Sequence, residues 1–111
     1  TVCHSRSKRL EEKLTRSEMI ISAVGNRQHF TLSGDMVRPG AVVIDVGISR
    51  LNGQICGDVD FDSVRTKASW ITPVPGGVGP MTVAILLRNT VSAAFSSSGI
   101  GNNPIYDPHS D

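Results

Sequence analysis

A chain of 111 residues, of which 39% are hydrophobic, 19% charged and 5% aromatic, is one domain at most. Eleven Lys and Arg against ten Asp and Glu leave a formal net charge of +1, too little to create a field that draws nucleic acid or an anionic membrane surface, so neither is expected as a partner. Folding alone is expected to be marginal, since domains near this size bury somewhat over ~60% of the surface their unfolded chain exposes.

Short apolar runs alternate with polar or helical stretches, the pattern of an α/β sheet. The first run, residues 1–4, reads as a strand already under way; with no initiating Met, residue 1 is expected to be a truncation point. This end lacks the apolar h-region of a signal peptide, and no apolar run approaches the ~20 residues of a membrane span, so the chain reads as soluble and intracellular. Residues 7–17 predict a helix, with Leu10 and Leu14 on one face at i, i+4. Residues 19–24 are a second buried run, expected as a central parallel strand and closed by Gly25 and Asn26. One helical turn fits residues 33–37 before Arg38, Pro39 and Gly40 stop it.

Residues 41–46 are β-branched and nearly continuous, as in a strand covered on both faces, and place Asp45 close to the C-terminal end. Asn52-Gly53, flanked by residues 48–51 and 54–57, is a strong hairpin signal because both turn positions tolerate positive φ. Residues 58–67 predict a short helix with Asp60 or Asp62 near its N-terminus, and residues 69–72 the last strand. Residues 73–80 (Pro-Val-Pro-Gly-Gly-Val-Gly-Pro) are too rich in Pro and Gly for regular structure. They lead into an apolar helix over residues 81–95, on which Val83, Leu87, Thr90, Val91 and Ala94 share a face. Residues 96–111 lack the apolar side chains that offset ordering entropy and are expected as a flexible tail.

Three segments carry candidate chemistry. In the loop 73–80, three glycines in four positions let a ligand approach the backbone, prolines stiffen both sides, and the helix beyond presents amides near Met81 and Thr82 to an anion or a polarised carbonyl. A structural turn is the alternative, and the spacing is not that of a P-loop. At residues 3–7, no acid stands where a dinucleotide fold commonly holds the ribose 2′-hydroxyl. The Ser5 hydroxyl and the Arg6 guanidinium suit a 2′-phosphate, hence NADP over NAD, with a solvated basic loop as the alternative. His4 reads as a satisfied structural histidine rather than a catalytic one. Third, Gly47 follows a buried strand directly, where a flat nicotinamide ring would lie against the backbone and Ile48.

Asp45 reads as a structural carboxylate that holds neighbouring loop amides, and it has no visible acid, base or nucleophile partner, so no catalytic residue is assigned. Asp58 and Asp60 read as a helix start in preference to a metal pair. Cys3 and Cys56 have neither CxxC spacing nor a histidine at metal-ligand distance; reduced thiols are expected, and no metal.

Four segments carry a resemblance: residues 1–7 (Thr-Val-Cys-His-Ser-Arg-Ser), 41–48 (Ala-Val-Val-Ile-Asp-Val-Gly-Ile), 57–61 (Gly-Asp-Val-Asp-Phe) and, most specifically, 71–84 (Ile-Thr-Pro-Val-Pro-Gly-Gly-Val-Gly-Pro-Met-Thr-Val-Ala). They resemble the C-terminal cofactor-binding domain of the bifunctional methylenetetrahydrofolate dehydrogenase/methenyltetrahydrofolate cyclohydrolase family. The resemblance runs through residues 1–95 and implies a partial NAD(P)-binding domain there: an α/β, Rossmann-like fold with a mostly parallel sheet flanked by helices, lacking its first strand and Gly-rich loop. It implies an enzyme that oxidises 5,10-methylenetetrahydrofolate with NADP and hydrolyses the methenyl product to 10-formyltetrahydrofolate. Ser5 would contact the 2′-phosphate and Ile48 the cofactor near its nicotinamide end; Gly47 and Thr82, from the reading of the residues themselves, are further expected cofactor positions. Pro73, Pro75, Gly76 and Gly79 would line the folate side. Two departures are Ser49, where the family usually has Asn, and Trp70, where it has Tyr or Phe.

The family's catalytic Tyr and Lys lie in an N-terminal domain that this sequence does not contain, so the chain alone is expected to be inactive. The implied partners are that domain, tetrahydrofolate derivatives and a second copy in a homodimer, for which the Asn52-Gly53 hairpin offers edge strands. The rival expectation is a non-catalytic truncated fragment or interaction module that keeps the fold alone. A cytoplasmic location is expected, with mitochondrial as the alternative.

Overall fold

In a computed structural model, which describes residues 1–99, short strands and helical turns alternate as the apolar runs imply. The order is α1 (Leu10–Arg16), β1 (Met19–Ser22), a 3₁₀ turn (Gly34–Met36), β2 (Val42–Asp45), β3 (Ser49–Leu51), β4 (Gln54–Cys56), α2 (Phe61–Val64), β5 (Trp70–Ile71) and α3 (Val78–Ser98). The chain forms two compact units, Thr1–Val78 and one that begins at Gly79.

In the first unit, β1, β2 and β5 make a parallel sheet in that order, with Ile20 opposite Val43 and Val43 opposite Ile71. Thr72 prolongs the ladder past β5: its amide donates to the Val43 carbonyl at 3.1 Å, and its hydroxyl accepts from the Asp45 amide at 2.8 Å. Side chains alternate across the sheet. Ile20 and Ser22 of β1 and Val43 and Asp45 of β2 point into the core, whereas Met19 and Ile21 are exposed. β1 is therefore an edge strand with one covered face among the described residues, not the central strand expected, because β2 is its one ladder partner.

The core gathers Ile20, Leu32, Val37, Ala41, Val43, Val59 and Val64, with Leu14, Phe30 and Ile71 packed against it. Val43 is fully buried at the centre of the sheet. Val43→Ala is expected to lower folding stability by about 2 kcal/mol, through lost burial and the cavity left behind. Urea unfolding followed by far-UV circular dichroism measures it, and a loss under about 0.5 kcal/mol contradicts the central placement of this residue.

Residues 1–4 form no strand, and Val2 is 92% exposed. A strand needs a ladder partner to satisfy its amides and carbonyls, and none among the described residues supplies one here. The chain instead tightens into a turn in which the Ser7 amide donates to the His4 carbonyl and the His4 amide to the Ser7 hydroxyl. That use of Ser7, followed by Arg9 at φ 58°, delays α1 to Leu10. The hairpin of β3 and β4 turns at Asn52 (φ 52°) and Gly53 (φ 80°), the left-handed pair of a type I′ turn.

α2 starts at Phe61 and not at Asp58, because Asp58 and Val59 are drawn into extended pairing with Leu32. The Leu32 amide donates to the Asp58 carbonyl and the Asp60 amide to the Leu32 carbonyl, both at 2.9 Å. α3, which from Gly79 onward belongs to the second unit, begins at Val78 and ends at Ser98, three residues beyond the predicted span at each end. Pro80 is the third residue of the helix, where no amide donor is required, and Gly99 at φ 66° supplies the left-handed exit. By length and composition α3 is apolar enough to cross a membrane, with mean hydropathy 1.3 over its best window. Arg88 and Asn89 interrupt its middle, where a buried cation costs roughly 2.5–3.5 kcal/mol in a bilayer. Residues 100–111 of the expected tail lie outside the described residues.

Candidate functional site

Ligands of open parallel sheets bind outside the carboxyl ends of the strands. In this chain those ends are tied together by two buried carboxylates, Asp45 and Asp58. Asp45 Oδ1 accepts from the amides of Gly47 and Asp58, each at 3.0 Å, and Oδ2 from the Val59 amide at 2.9 Å. Asp58 Oδ2 accepts from the Ser22 hydroxyl at 2.8 Å and the Val24 amide at 2.7 Å, and Oδ1 from the Gly25 amide at 2.9 Å. All six bonds run into the carboxylates, which suits buried acids surrounded by donors.

The arrangement is reciprocal. A Cβ on Gly47 would stand 2.1 Å from Asp58 Cγ, and one on Gly57 would stand 2.0 Å from Asp45 Oδ2. Each acid lies in the space that the other loop leaves by having glycine there. Asp45 thus has the structural role its sequence context predicts. Asp58, expected at a helix start, is a fully buried anchor between the exits of β1 and β2.

Arg27 completes this anchor and went unassigned in the sequence. One guanidinium nitrogen, Nη1, donates to the carbonyls of Gly57 (3.0 Å) and Val59 (2.6 Å), which flank Asp58, while the Arg27 amide donates to the Ser49 hydroxyl at 3.1 Å. Beside these groups opens a cleft of about 250 Å³, lined by Arg27, Asp45, Cys56, Phe61, Thr72 and Val74 among others.

Of the cofactor positions, Gly47 and Ile48 sit at the exit of β2. Ile48 is 66% exposed, and its carbonyl stands 3.5 Å from where a Cβ on Gly25 would be, so the exits of β1 and β2 are neighbours. Ser5 and Arg6 form the exposed tip of the turn before α1. The Arg6 amide donates to His4 Nδ1 at 3.1 Å, giving His4 a structural role in that turn. Arg6 makes no ion pair among the described residues.

Pro73, Pro75 and Gly76 follow β5 as an exposed turn with a cis Val74–Pro75 bond. It is tight: the Pro73 carbonyl stands 2.2 Å from the place of a Cβ on Gly77. Gly79, expected in the loop, belongs to α3, as Thr82 does in agreement with its expected place on the helix. Thr82 is the fifth helical residue, beyond the four whose amides lack an acceptor within a helix, which shifts the expected anion-binding amides toward the start of the helix. Away from the strand exits, the Ser33 hydroxyl and the Asp35 backbone amide hold the exposed Asp35 carboxyl below the usual carboxylate range. The described residues contain no cluster of three or more His, Cys, Asp or Glu arranged to hold a metal ion.

A parallel β1-β2-β5 sheet with helical segments between its strands and glycines at its strand exits has the architecture of a Rossmann-like α/β domain, a class whose ligands bind at the carboxyl ends of the strands. The chain belongs to the tetrahydrofolate dehydrogenase/cyclohydrolase family as its NAD(P)-binding domain, which it matches over residues 1–98. It is 57% identical over 99 residues to the bifunctional protein FolD of Nitrosopumilus maritimus, covering 89% of this chain and 34% of that protein. Among solved structures, it resembles the bifunctional FolD dehydrogenase/cyclohydrolase of Campylobacter jejuni with a TM-score of 0.79 at 50% identity, over 87% of this chain and 34% of that one. It also resembles the Trypanosoma brucei enzyme, solved with NADP cofactor and an inhibitor, with a TM-score of 0.69 at 39% identity, over 82% and 32% of the two chains. The chain spans about a third of the length of these relatives.

Proposed function

We propose that this chain supplies the NADP-binding part of an enzyme that oxidises 5,10-methylenetetrahydrofolate and hydrolyses 5,10-methenyltetrahydrofolate to 10-formyltetrahydrofolate. The observation that carries the cofactor choice is the turn tip at Ser5 and Arg6, an exposed hydroxyl beside an exposed guanidinium that has no ion-pair partner among the described residues, with no acid in the turn. Those donors fit a ribose 2′-phosphate and leave nothing to accept from a 2′-hydroxyl in the manner of an Asp or Glu. The family match over residues 1–98 supports the enzyme class.

When bound, NADP supplies the hydride acceptor, and the contribution of the protein is orientation and electrostatics. On this reading Ser5 and Arg6 hold the 2′-phosphate, while Gly47 and Ile48 give the nicotinamide end a backbone surface beside an exposed apolar side chain. Pro73, Pro75 and Gly76 form a stiff wall on the folate side. Asp45 and Asp58 do not move protons, because both carboxylates are filled by internal donors. The acid/base groups come from the other two thirds of the enzyme, and the β3–β4 hairpin, with Leu51 and Ile55 exposed, offers edges to a second copy.

Ser5→Asp tests the reading. A carboxylate at the turn tip repels a 2′-phosphate, so NADP affinity is expected to fall on the order of 10-fold or more while NAD affinity holds or rises. Calorimetric titration of the unaltered chain and the variant with both nucleotides gives the ratio, and an unchanged ratio contradicts the assignment of Ser5.

A further inference from the structure

We propose that Asp58 is a positioning residue for the cofactor surface: NADP affinity depends on it beyond its contribution to stability. The proposal rests on the reading that the exits of β1 and β2 receive the cofactor.

The backbone of Asp58 is held from several directions. Its amide donates to Asp45 Oδ1, its carbonyl accepts from the Leu32 amide, and Arg27 grips the carbonyls on either side of it. A side chain on so fixed a base is a rigid anchor. From it the carboxylate reaches the Val24 and Gly25 amides, 34 and 33 residues away in sequence. Neither residue belongs to a strand, and Val24 is 53% exposed, so this segment takes its position from Asp58 and not from the ladder or the core.

The same carboxylate stands against Gly47, and Gly25 stands against the Ile48 carbonyl. Val24-Gly25 and Gly47-Ile48 are thus two adjacent backbone segments, one at each strand exit, with one buried acid touching both. Surfaces that orient a ligand tolerate displacements of only about 0.5 Å before affinity and rate suffer. Loss of the anchor frees the β1 exit while the sheet around Val43 keeps its pairing.

Asp58→Asn in the 111-residue chain is the test. Asn keeps the shape, but its NH2 group must face either the Gly25 amide or the Val24 amide, donor against donor, although the Ser22 hydroxyl can turn to accept from it. At a temperature where circular dichroism shows both proteins folded, amide exchange by NMR is expected to accelerate at Val24 and Gly25 more than at Val43. NADP affinity is expected to fall on the order of 10-fold, the loss that goes with one well-formed hydrogen bond to a charged group. Val37→Ala, which removes core packing but none of these hydrogen bonds, is the control and is expected to leave affinity within about 2-fold despite a lower melting temperature.

If Asp58→Asn does not fold, Ser22→Ala carries the test, since it removes one of the three donors and is expected to weaken NADP by roughly 3-fold. Wild-type affinity in the folded Asp58 variant, or in Ser22→Ala where that variant carries the test, overturns the proposal, as does an equal loss in Val37→Ala. Failure of the unaltered chain to take up NADP removes the reading beneath the proposal and the proposal with it, and is recognised because no variant is involved.

Discussion

Gly47→Ala and Gly57→Ala are each expected to lower folding stability by about 3 kcal/mol, well above the usual cost of adding a methyl group to a loop. The added Cβ would stand 2.1 Å from Asp58 Cγ in the first case and 2.0 Å from Asp45 Oδ2 in the second, distances that only movement of a buried carboxylate can relieve. Movement is expensive, because each carboxylate holds three donors whose bonds would lengthen together. Gly40→Ala is the informative contrast: no atom lies within 4 Å of its Cβ position, and its φ of 79° leaves only a backbone penalty on the order of 1 kcal/mol. Urea midpoints for the three variants check the order, and a Gly47 or Gly57 variant no worse than the Gly40 variant contradicts the interlocked geometry.

The second large effect belongs to Asp45. Asp45→Ala removes the acceptor from the amides of Gly47, Asp58 and Val59 at once, all three of them buried residues. An unsatisfied buried donor costs about 1–3 kcal/mol, and the three are coupled, so a combined loss of about 4 kcal/mol is expected. Small domains have only about 5–15 kcal/mol in total. The variant is therefore expected to lose amide dispersion in a proton NMR spectrum under conditions where the unaltered chain keeps it. Asp45→Asn, which retains one acceptor oxygen, is expected to fall between them. A fully dispersed spectrum with a midpoint shift worth under 1 kcal/mol contradicts the weight given to these bonds.

How far the sequence alone reached follows from how local each signal is. The hairpin was readable because Asn52 and Gly53 specify their own backbone conformation. The role of Asp45 was readable because it sits at the end of a β-branched run, where a buried acid has few uses besides holding amides. Asp58 was not, since its partners lie 33 to 36 residues away and the Asp-Val-Asp-Phe context imitates a helix start. The real start waits until Phe61, because pairing of Asp58 and Val59 with Leu32 overrides the local preference.

Other misses share that cause. Residues 19–24 have the composition of a central strand, yet ladder partners decide that, and β1 has one among the described residues. Pro80 looks like a barrier to α3 until its position in the first turn is known, where proline is tolerated. Arg27 left no local sign, because its use depends on two carbonyls brought close only by the fold.

Calorimetric titration of the folded 111-residue chain with NADP, with NAD run alongside, tests the central claim most directly. The account predicts saturable binding of NADP and weaker or undetectable binding of NAD, because the strand exits are fixed from within this chain and the Ser5-Arg6 tip favours a 2′-phosphate. A folded chain that binds neither nucleotide, or binds both alike, contradicts it.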